Sequence, residues 1–78
     1  MNSITRVRIE EMITRKLDAA FASEERQGLN DAIELAVLEF EKGEEIKPLL
    51  EVVFNSCQDT DEVLIEWSKI LNDYAKVA

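Results

Sequence analysis

Apolar residues recur every three or four positions along nearly the whole chain, and this period is that of an α-helix rather than a β-strand. The pattern is clearest between residues 9 and 21 and between residues 63 and 74. Residues that interrupt helices are rare, because the 78 residues include only two glycines and one proline. The pattern therefore predicts an all-α fold, and the length fits a single helical domain spanning residues 1–78.

The breaks in this pattern predict four helices, three long and one short, that are joined by short loops. Because short loops favour antiparallel neighbours, the expected architecture is a small four-helix bundle. The helices are expected to run from about Ser3 to Ala22, from Asn30 to Lys42, from Pro48 to Cys57 and from Thr60 to Val77.

Glycine and proline set the middle boundaries of this prediction. Gly28 is interpreted as the end of a polar break that begins at Ser23, since glycine permits a positive φ. Gly43 is interpreted as the residue that follows the second helix. Pro48 suits the first turn of the third helix, where its missing N–H costs no hydrogen bond.

The fourth helix has the clearest start and the clearest apolar face. Asp59, followed by Glu62 three residues later, resembles a capping box at the start of a helix. Trp67 and Tyr74 lie on an apolar stripe about 100° wide. We therefore expect both aromatic side chains to lie in the core.

Residues 49–54 are almost entirely apolar, with Glu51 as the one polar position among them. A helix with this composition is expected to be almost wholly buried. The branched and aromatic side chains also suit a β-strand. Since a lone strand has no partner within the chain, that alternative requires strand pairing between two chains.

Cys57 is the only cysteine, so no disulfide can form within one chain. A lone cysteine is typical of a reducing compartment, and we predict a cytoplasmic protein. The sequence shows no secretory signal and no run of about 20 apolar residues that would cross a bilayer. Because the chain has no histidine to activate the thiol, Cys57 is expected to be a small buried apolar residue.

The charge of the chain is acidic and unevenly distributed. The formal net charge is −8, with +1 in residues 1–23 and −9 in residues 24–78. Such a surface repels nucleic acid and anionic membranes, so neither is expected as a direct partner, and a charged partner is expected to be basic. An alternative is that the acidic surface imitates nucleic acid and inhibits a protein that binds DNA or RNA.

Residue types that catalyse reactions or bind metal ions are not grouped along the sequence. One cysteine without histidine excludes the usual zinc sites. Adjacent carboxylates such as Glu10 and Glu11 point about 100° apart on a helix, so they do not face one site. Residues 59–62 begin like a calcium loop, but Val63 and Leu64 stand where a ligand and a glycine are needed. We therefore predict no catalytic residue and no metal ligand.

The chain is similar to acyl carrier proteins in its length, acidity and number of predicted helices. Those proteins carry their prosthetic group on a serine in an Asp-Ser-Leu motif at the start of the second helix. The corresponding stretch here, Gly28-Leu29-Asn30-Asp31, contains no serine. The resemblance is one of composition and covers no specific motif, so nothing is inferred from it. We predict no cofactor, and no small-molecule substrate is evident.

The second predicted helix is apolar on two faces. With Ile33 taken as the main face, Leu35 and Leu38 lie about 140–160° away, beside Asp31 and Lys42. One interpretation is that this helix is central and packs against neighbours on both sides. The other is that the two leucines form a contact surface for a second subunit or for another protein.

Ile65 is likewise an apolar residue outside the main apolar face of its helix, because it lies opposite the apolar stripe of the fourth helix. The leading hypothesis is a non-enzymatic adaptor, inhibitor or regulator that acts by binding another protein, or itself as a homodimer. The nucleic-acid mimic is one alternative, and a minor non-catalytic subunit of a larger complex is another. The candidate interface comprises Leu35, Leu38, Asp31, Lys42 and Ile65.

Overall fold

The computed structural model describes residues 3–23 and 26–77, and the side chains of residues 6–23 and 26–74. Within these ranges there is no β-strand, and the predicted all-α fold of four helices with short loops is confirmed. None of the described helices has the length and apolar character needed to cross a membrane. The helices are α1 (Ser3–Ser23), α2 (Arg26–Ala36), α3 (Gly43–Ser56) and α4 (Thr60–Val77).

Each helix packs against its neighbour in sequence, and α1 also packs against α4, so the four helices close into a ring. Helices α1 and α2 run antiparallel. Lys16 forms an ion pair with Asp31 at 3.3 Å, whereas the earlier residue Gly28 lies against the later residue Ala20. Later residues of α2 thus face earlier residues of α1, as short connections require.

Ion pairs show the same antiparallel order for α2 and α3. Arg26 Nη1 lies 2.7 Å from Glu51 Oε1, and Lys47 Nζ lies 3.6 Å from Glu34 Oε1. Lys47 also donates a hydrogen bond to Glu44, and this bond together with the charge of Glu34 raises the pKa of the lysine ammonium. All of these pairs are partly exposed, so they orient the helices more than they stabilise them.

All four helices contribute apolar side chains to one core at the centre of the ring. The rings of Phe21 and Phe54 lie with their centroids 4.6 Å apart and connect α1 to α3 across it. Trp67 is 2% exposed, which confirms its predicted place in the core, and Tyr74 is partly buried against it. The buried members are Ile13, Leu17, Ala20, Leu29, Ala32, Ile33, Ala36, Val37, Ile46, Leu50, Val63 and Trp67.

Gly28 allows the backbones of α1 and α2 to approach each other closely. A Cβ atom at Gly28 would lie 2.6 Å from the carbonyl oxygen of Lys16, which is closer than real Cβ atoms come to a backbone. Ala20, also at this contact, is small and buried. The prediction that Gly28 ends a break was wrong, since α2 begins at Arg26 and includes the glycine.

The predicted end of the second helix was also wrong. α2 ends at Ala36 rather than Lys42, and residues 37–42 form turns before α3. Gly43 is the first residue of α3 rather than the residue after α2. It is buried, and a Cβ atom there would lie 3.2 Å from the Cβ of Val37, so the glycine allows this turn to fold tightly. With 11 residues, α2 and not the third helix is the short one.

Helix α3 extends further toward the N-terminus than the proline suggested. Pro48 lies in its second turn instead of at its first position, so the carbonyl of Glu44 receives no helical hydrogen bond from residue 48. Glu44 and Glu45 lie in the first turn, where negative charge interacts favourably with the helix dipole. These charges and the tertiary contacts of α3 outweigh the lost bond.

Residues 49–54 are helical, which excludes the alternative of a strand that pairs between chains. The expectation that this helix is almost wholly buried was wrong. Leu49 is 42% exposed and Val52 is 64% exposed, whereas Leu50 between them is fully buried. One face of α3 thus carries apolar side chains into solvent.

The start of α4 forms as the sequence predicts. Asp59 Oδ1 accepts a hydrogen bond from the N–H of Glu62 at 2.9 Å. The carboxylate of Glu62 accepts one in return from the N–H of Gln58 at 3.0 Å. Thr60 donates its hydroxyl hydrogen to Asp18, which fixes the start of α4 against α1. The predicted Asp59 cap is thereby confirmed. In a capping box the carboxylate of Glu62 would accept from the N–H of Asp59, whereas here it accepts from the residue before it.

Candidate functional site

An open groove of about 430 Å³ lies between α3 and α4 at the surface of the bundle. Its outer walls are apolar, because Val52 on α3 is 64% exposed and Ile65 on α4 is 60% exposed. Its inner wall includes Val53 and Cys57, which are partly buried against the core. The groove is lined by Val52, Val53, Ser56, Cys57, Glu62, Ile65 and Glu66.

A buried tryptophan holds together the two helices that form the groove. Trp67 on α4 donates its indole hydrogen to the carbonyl oxygen of Leu50 on α3, at 3.1 Å. Both residues are almost fully buried, so this hydrogen bond is protected from water. The bulky indole fills the contact between α3 and α4, whereas Gly28 lets the backbones of α1 and α2 meet.

The electrostatic environment of the groove is negative. Burial raises the pKa of the Cys57 thiol above its usual value, and the charges of Glu62, Glu66 and Asp59 raise it further. A higher pKa leaves less thiolate near neutral pH, and thiolate is the reactive form. The raised pKa of the Cys57 thiol therefore reflects the negative charge at the groove, and it makes the thiol poorly suited to act as a nucleophile.

Leu35 and Leu38, the centre of the predicted interface, lie in different surroundings. Because α2 ends at Ala36, Leu35 lies on the helix and Leu38 lies in the turn that follows. Leu35 is half-buried and packs against the core, whereas Leu38 is 63% exposed. The idea that both project from one helical face was wrong, since helical angles do not apply beyond Ala36.

The two charged residues predicted beside these leucines have different roles. Asp31 forms the ion pair with Lys16 and accepts a hydrogen bond from Gln27 at 2.8 Å, so its carboxylate supports the α1–α2 contact. Lys42 is exposed directly before α3, and its carbonyl accepts a hydrogen bond from Ile46 at 3.2 Å. A part for either residue in an interface stays a prediction.

Ile65 lies in the α3–α4 groove, where its exposure agrees with its position opposite the core stripe of α4. Helices α2 and α4 do not approach each other in the part of the chain that is described, so Ile65 and Leu35 belong to different surfaces. Val52 was missed because α3 was expected to be buried on all sides. The signal was present, since Val52 lies about 160° from the buried Leu50 at 100° per residue.

The other clusters of polar residues are weaker candidates for a functional site than the α3–α4 groove. No three cysteine, histidine, aspartate or glutamate side chains come together as a metal site among the described residues. A depression beside the start of α4 is lined by Asp18, Asp59 and Asp61, but Asp18 is engaged by Thr60 and Asp59 caps the helix. The α3–α4 groove is therefore the strongest candidate site.

No protein-family model, no curated protein and no solved structure matches this chain. A function therefore has to be argued from the residues of the groove and from their surroundings. Those residues supply apolar contact area and negative charge.

Proposed function

We propose that this protein acts by binding another protein, as an adaptor, inhibitor or regulator, and that it is not itself an enzyme. The observation that carries the proposal is that Val52 and Ile65, on two different helices, are both mostly exposed and share one groove. Single exposed apolar residues are common on soluble proteins. Two that converge on one concave surface are typical of a contact site.

Residue chemistry supports the non-enzymatic part of the proposal. The chain has no histidine, and the raised pKa of the Cys57 thiol lowers its nucleophilic fraction near neutral pH. The adjacent carboxylates Glu10–Glu11 and Glu44–Glu45 are exposed to solvent. General acid–base catalysis instead places a carboxylate in a cleft that changes its pKa.

A peptide selection tests whether the groove binds protein segments. Random peptides displayed on phage are selected on the wild-type chain, and the recovered peptides are then measured against Val52→Ser/Ile65→Ser. We expect recovered peptides to bind the wild-type chain with micromolar affinity and to bind the variant about tenfold more weakly, because two apolar contacts are lost.

A matched control for the selection is Val7→Ser, since Val7 is 51% exposed on α1 and does not line the groove. Peptides should bind this variant as they bind the wild-type chain. Recovery of no peptide above background, or equal binding to the groove variant, would contradict the proposed site.

A second surface suits self-association. The Lys16–Asp31 ion pair fixes the register of α1 and α2, so Met12 and Leu35 lie one helical turn further along the same contact. Met12 is 45% exposed, and Leu38 follows Leu35 in the turn after α2. An apolar surface shared by two helices and a turn can pair with its own copy across a two-fold axis.

Sedimentation equilibrium over a wide concentration range tests this second surface. Leu38→Glu is the informative variant, because the exposed leucine can be replaced without loss of core packing, whereas Leu35→Glu is expected to destabilise the fold. A wild-type dimer that becomes a folded monomer in Leu38→Glu supports a homodimer. A wild-type monomer at all concentrations contradicts it and leaves the turn free for another partner.

A further inference from the structure

We propose that the α3–α4 groove binds an amphipathic helical segment of a basic protein. An aliphatic side chain of that segment enters between Val52 and Ile65, and lysine or arginine residues beside it pair with Glu62 and Glu66. This inference rests on the proposed function and deepens it, because it names the chemical class of the partner.

The shape of the groove fits a helical segment. The open groove between the two antiparallel helices is lined from both by Val52, Val53 and Ile65, so the apolar face of a third helix can pack into it. On α3 the apolar strip continues beyond the groove, because Leu49 lies one turn before Val52 and is also exposed. The strip is thus long enough for more than one anchor residue.

The charge of the groove selects a basic segment. Glu62 and Glu66 are four residues apart on α4, so their Cα atoms lie about 6 Å apart along the helix axis. Both line the groove, and both raise the pKa of the Cys57 thiol between the helices. Two cationic side chains at positions i and i+4 of a bound helix match this spacing.

Lys69 is the competing cation, because its ammonium lies 3.2 Å from the carboxylate of Glu66. The lysine side chain is 70% exposed, so this pair is weak and can be replaced by a cation of the partner. Among the described residues, the carboxylate of Glu62 accepts a hydrogen bond only from the backbone N–H of Gln58, through Oε2. Its other oxygen, Oε1, is therefore available to a cation of the partner.

A second copy of this chain is a poor occupant of the groove. A two-fold symmetric interface would bring Glu62 and Glu66 of one copy against the same residues of the other. The chain as a whole carries a formal net charge of −8, so two copies repel each other at long range as well. Nucleic acid is disfavoured for the same reason, since its phosphates are negative. A basic protein segment is instead attracted at short range by Glu62 and Glu66 and at long range by the net charge of the chain.

Three synthetic peptides of about four helical turns test the inference. All three carry the same leucine stripe. In the first peptide, lysines flank the stripe at positions i and i+4. In the second, the same lysines lie on the opposite face of the helix. In the third, glutamates replace the lysines of the first peptide. Affinity is measured by fluorescence anisotropy at low and at physiological ionic strength, and circular dichroism confirms that each protein variant is folded.

We expect the first peptide to bind about tenfold more tightly than the second and more tightly still than the third. Val52→Ser/Ile65→Ser should weaken the first peptide about tenfold without changing the protein's charge. Glu62→Gln/Glu66→Gln should reduce the preference for the first peptide over the second. The control Val7→Ser/Glu11→Gln removes an exposed apolar side chain and a charge on α1, and it should change neither quantity by more than about twofold.

Equal binding of the first and third peptides, or binding that does not respond to the groove variants, would overturn the inference. Self-association of the wild-type chain that Val52→Ser/Ile65→Ser abolishes would also overturn it, in favour of a second copy. The phage selection distinguishes failure of this inference from failure of the proposed function. Recovered peptides that depend on the groove but are not basic would leave protein binding in place and reject only the basic partner.

Discussion

Helices α1 and α2 form one hairpin of this protein and α3 and α4 form another, yet the two hairpins are packed by opposite means. In the first, Gly28 lets the helix backbones come close together. In the second, Trp67 and Leu50 fill the contact with large buried side chains and one protected hydrogen bond. The two crossings thus differ in the size of their side chains, on which the distance between packed helices depends.

The surfaces of the two hairpins differ as a consequence. The Gly28 contact brings two helix backbones together, whereas the α3–α4 contact carries the open groove between Val52 and Ile65. The second side is also the more negative, since residues 1–36 carry a formal net charge of −2 and residues 43–78 carry −5. An open apolar furrow and an acidic rim therefore occur together in the half that we propose binds a partner.

The largest effect is expected from Trp67→Ala, which removes the side chain that holds α3 and α4 together. Loss of a buried aromatic side chain costs about 3–5 kcal/mol in the free energy of unfolding. This is a large part of the stability of a small domain, which is of order 5–15 kcal/mol. Urea unfolding followed by circular dichroism measures the loss.

Trp67→Phe is the matched control, because it keeps an aromatic ring and loses the hydrogen bond to the Leu50 carbonyl. It should be clearly less destabilising than Trp67→Ala. Equal costs of the two variants would mean that the hydrogen bond, and not the bulk of the indole, accounts for the stability that Trp67 contributes.

Gly28→Ala is expected to have the next largest effect. Alanine is the better helix former, but its methyl group would meet the backbone carbonyl of Lys16, which cannot move as a side chain can. We expect a net loss of about 1–3 kcal/mol in the free energy of unfolding. Gly43→Ala should cost less, because its Cβ would lie no closer than 3.1 Å to its nearest neighbour. A stabilised Gly28→Ala would contradict the close approach of α1 and α2.

Val52→Ser/Ile65→Ser is expected to change the stability of the protein very little. Both side chains are mostly exposed, and substitutions at such surface positions usually alter the free energy of unfolding by about 0.5 kcal/mol or less. Urea unfolding of the double variant measures this change. A loss of several kcal/mol would show that the two residues belong to the core of the second hairpin rather than to a surface that binds.

The smallest expected effect is a change in the pKa of the Cys57 thiol. Because Glu62 and Glu66 raise the pKa of the thiol, Glu62→Gln/Glu66→Gln should shift the pH profile of its alkylation to lower pH. Burial still acts on the thiol, so the pKa should stay above its usual value. Glu11→Gln on α1 is the control and should leave the profile unchanged. An unaltered profile in the double variant would show that the rim charges do not act on the groove.

The class of fold and the outer elements could be predicted from the sequence, because periodicity and capping are local signals. Helix α4 begins at Thr60 behind an Asp59 cap, as its residues indicate. The middle boundaries could not be predicted in this way. Gly28 and Gly43 each serve a tertiary contact, and a glycine that permits close packing looks in the sequence like one that ends a helix.

The candidate site was predictable in part for the same reason. Ile65 is isolated among polar residues on one face of α4, so its exposure followed from helical angles. Val52 lies in the almost entirely apolar segment 49–54, and this composition concealed its outward direction. That Val52 and Ile65 share one groove depends on how α3 packs against α4, which is a property of the tertiary structure.

The most direct test of the central claim uses Cys57, the single cysteine, which lines the groove. The rate of its alkylation by iodoacetamide is measured at fixed alkaline pH with and without a saturating amount of the lysine-flanked peptide. We predict that the peptide slows alkylation about tenfold or more, since a helix bound between Val52 and Ile65 covers the thiol. An unchanged rate under conditions where anisotropy shows full binding would place the peptide elsewhere and contradict the account.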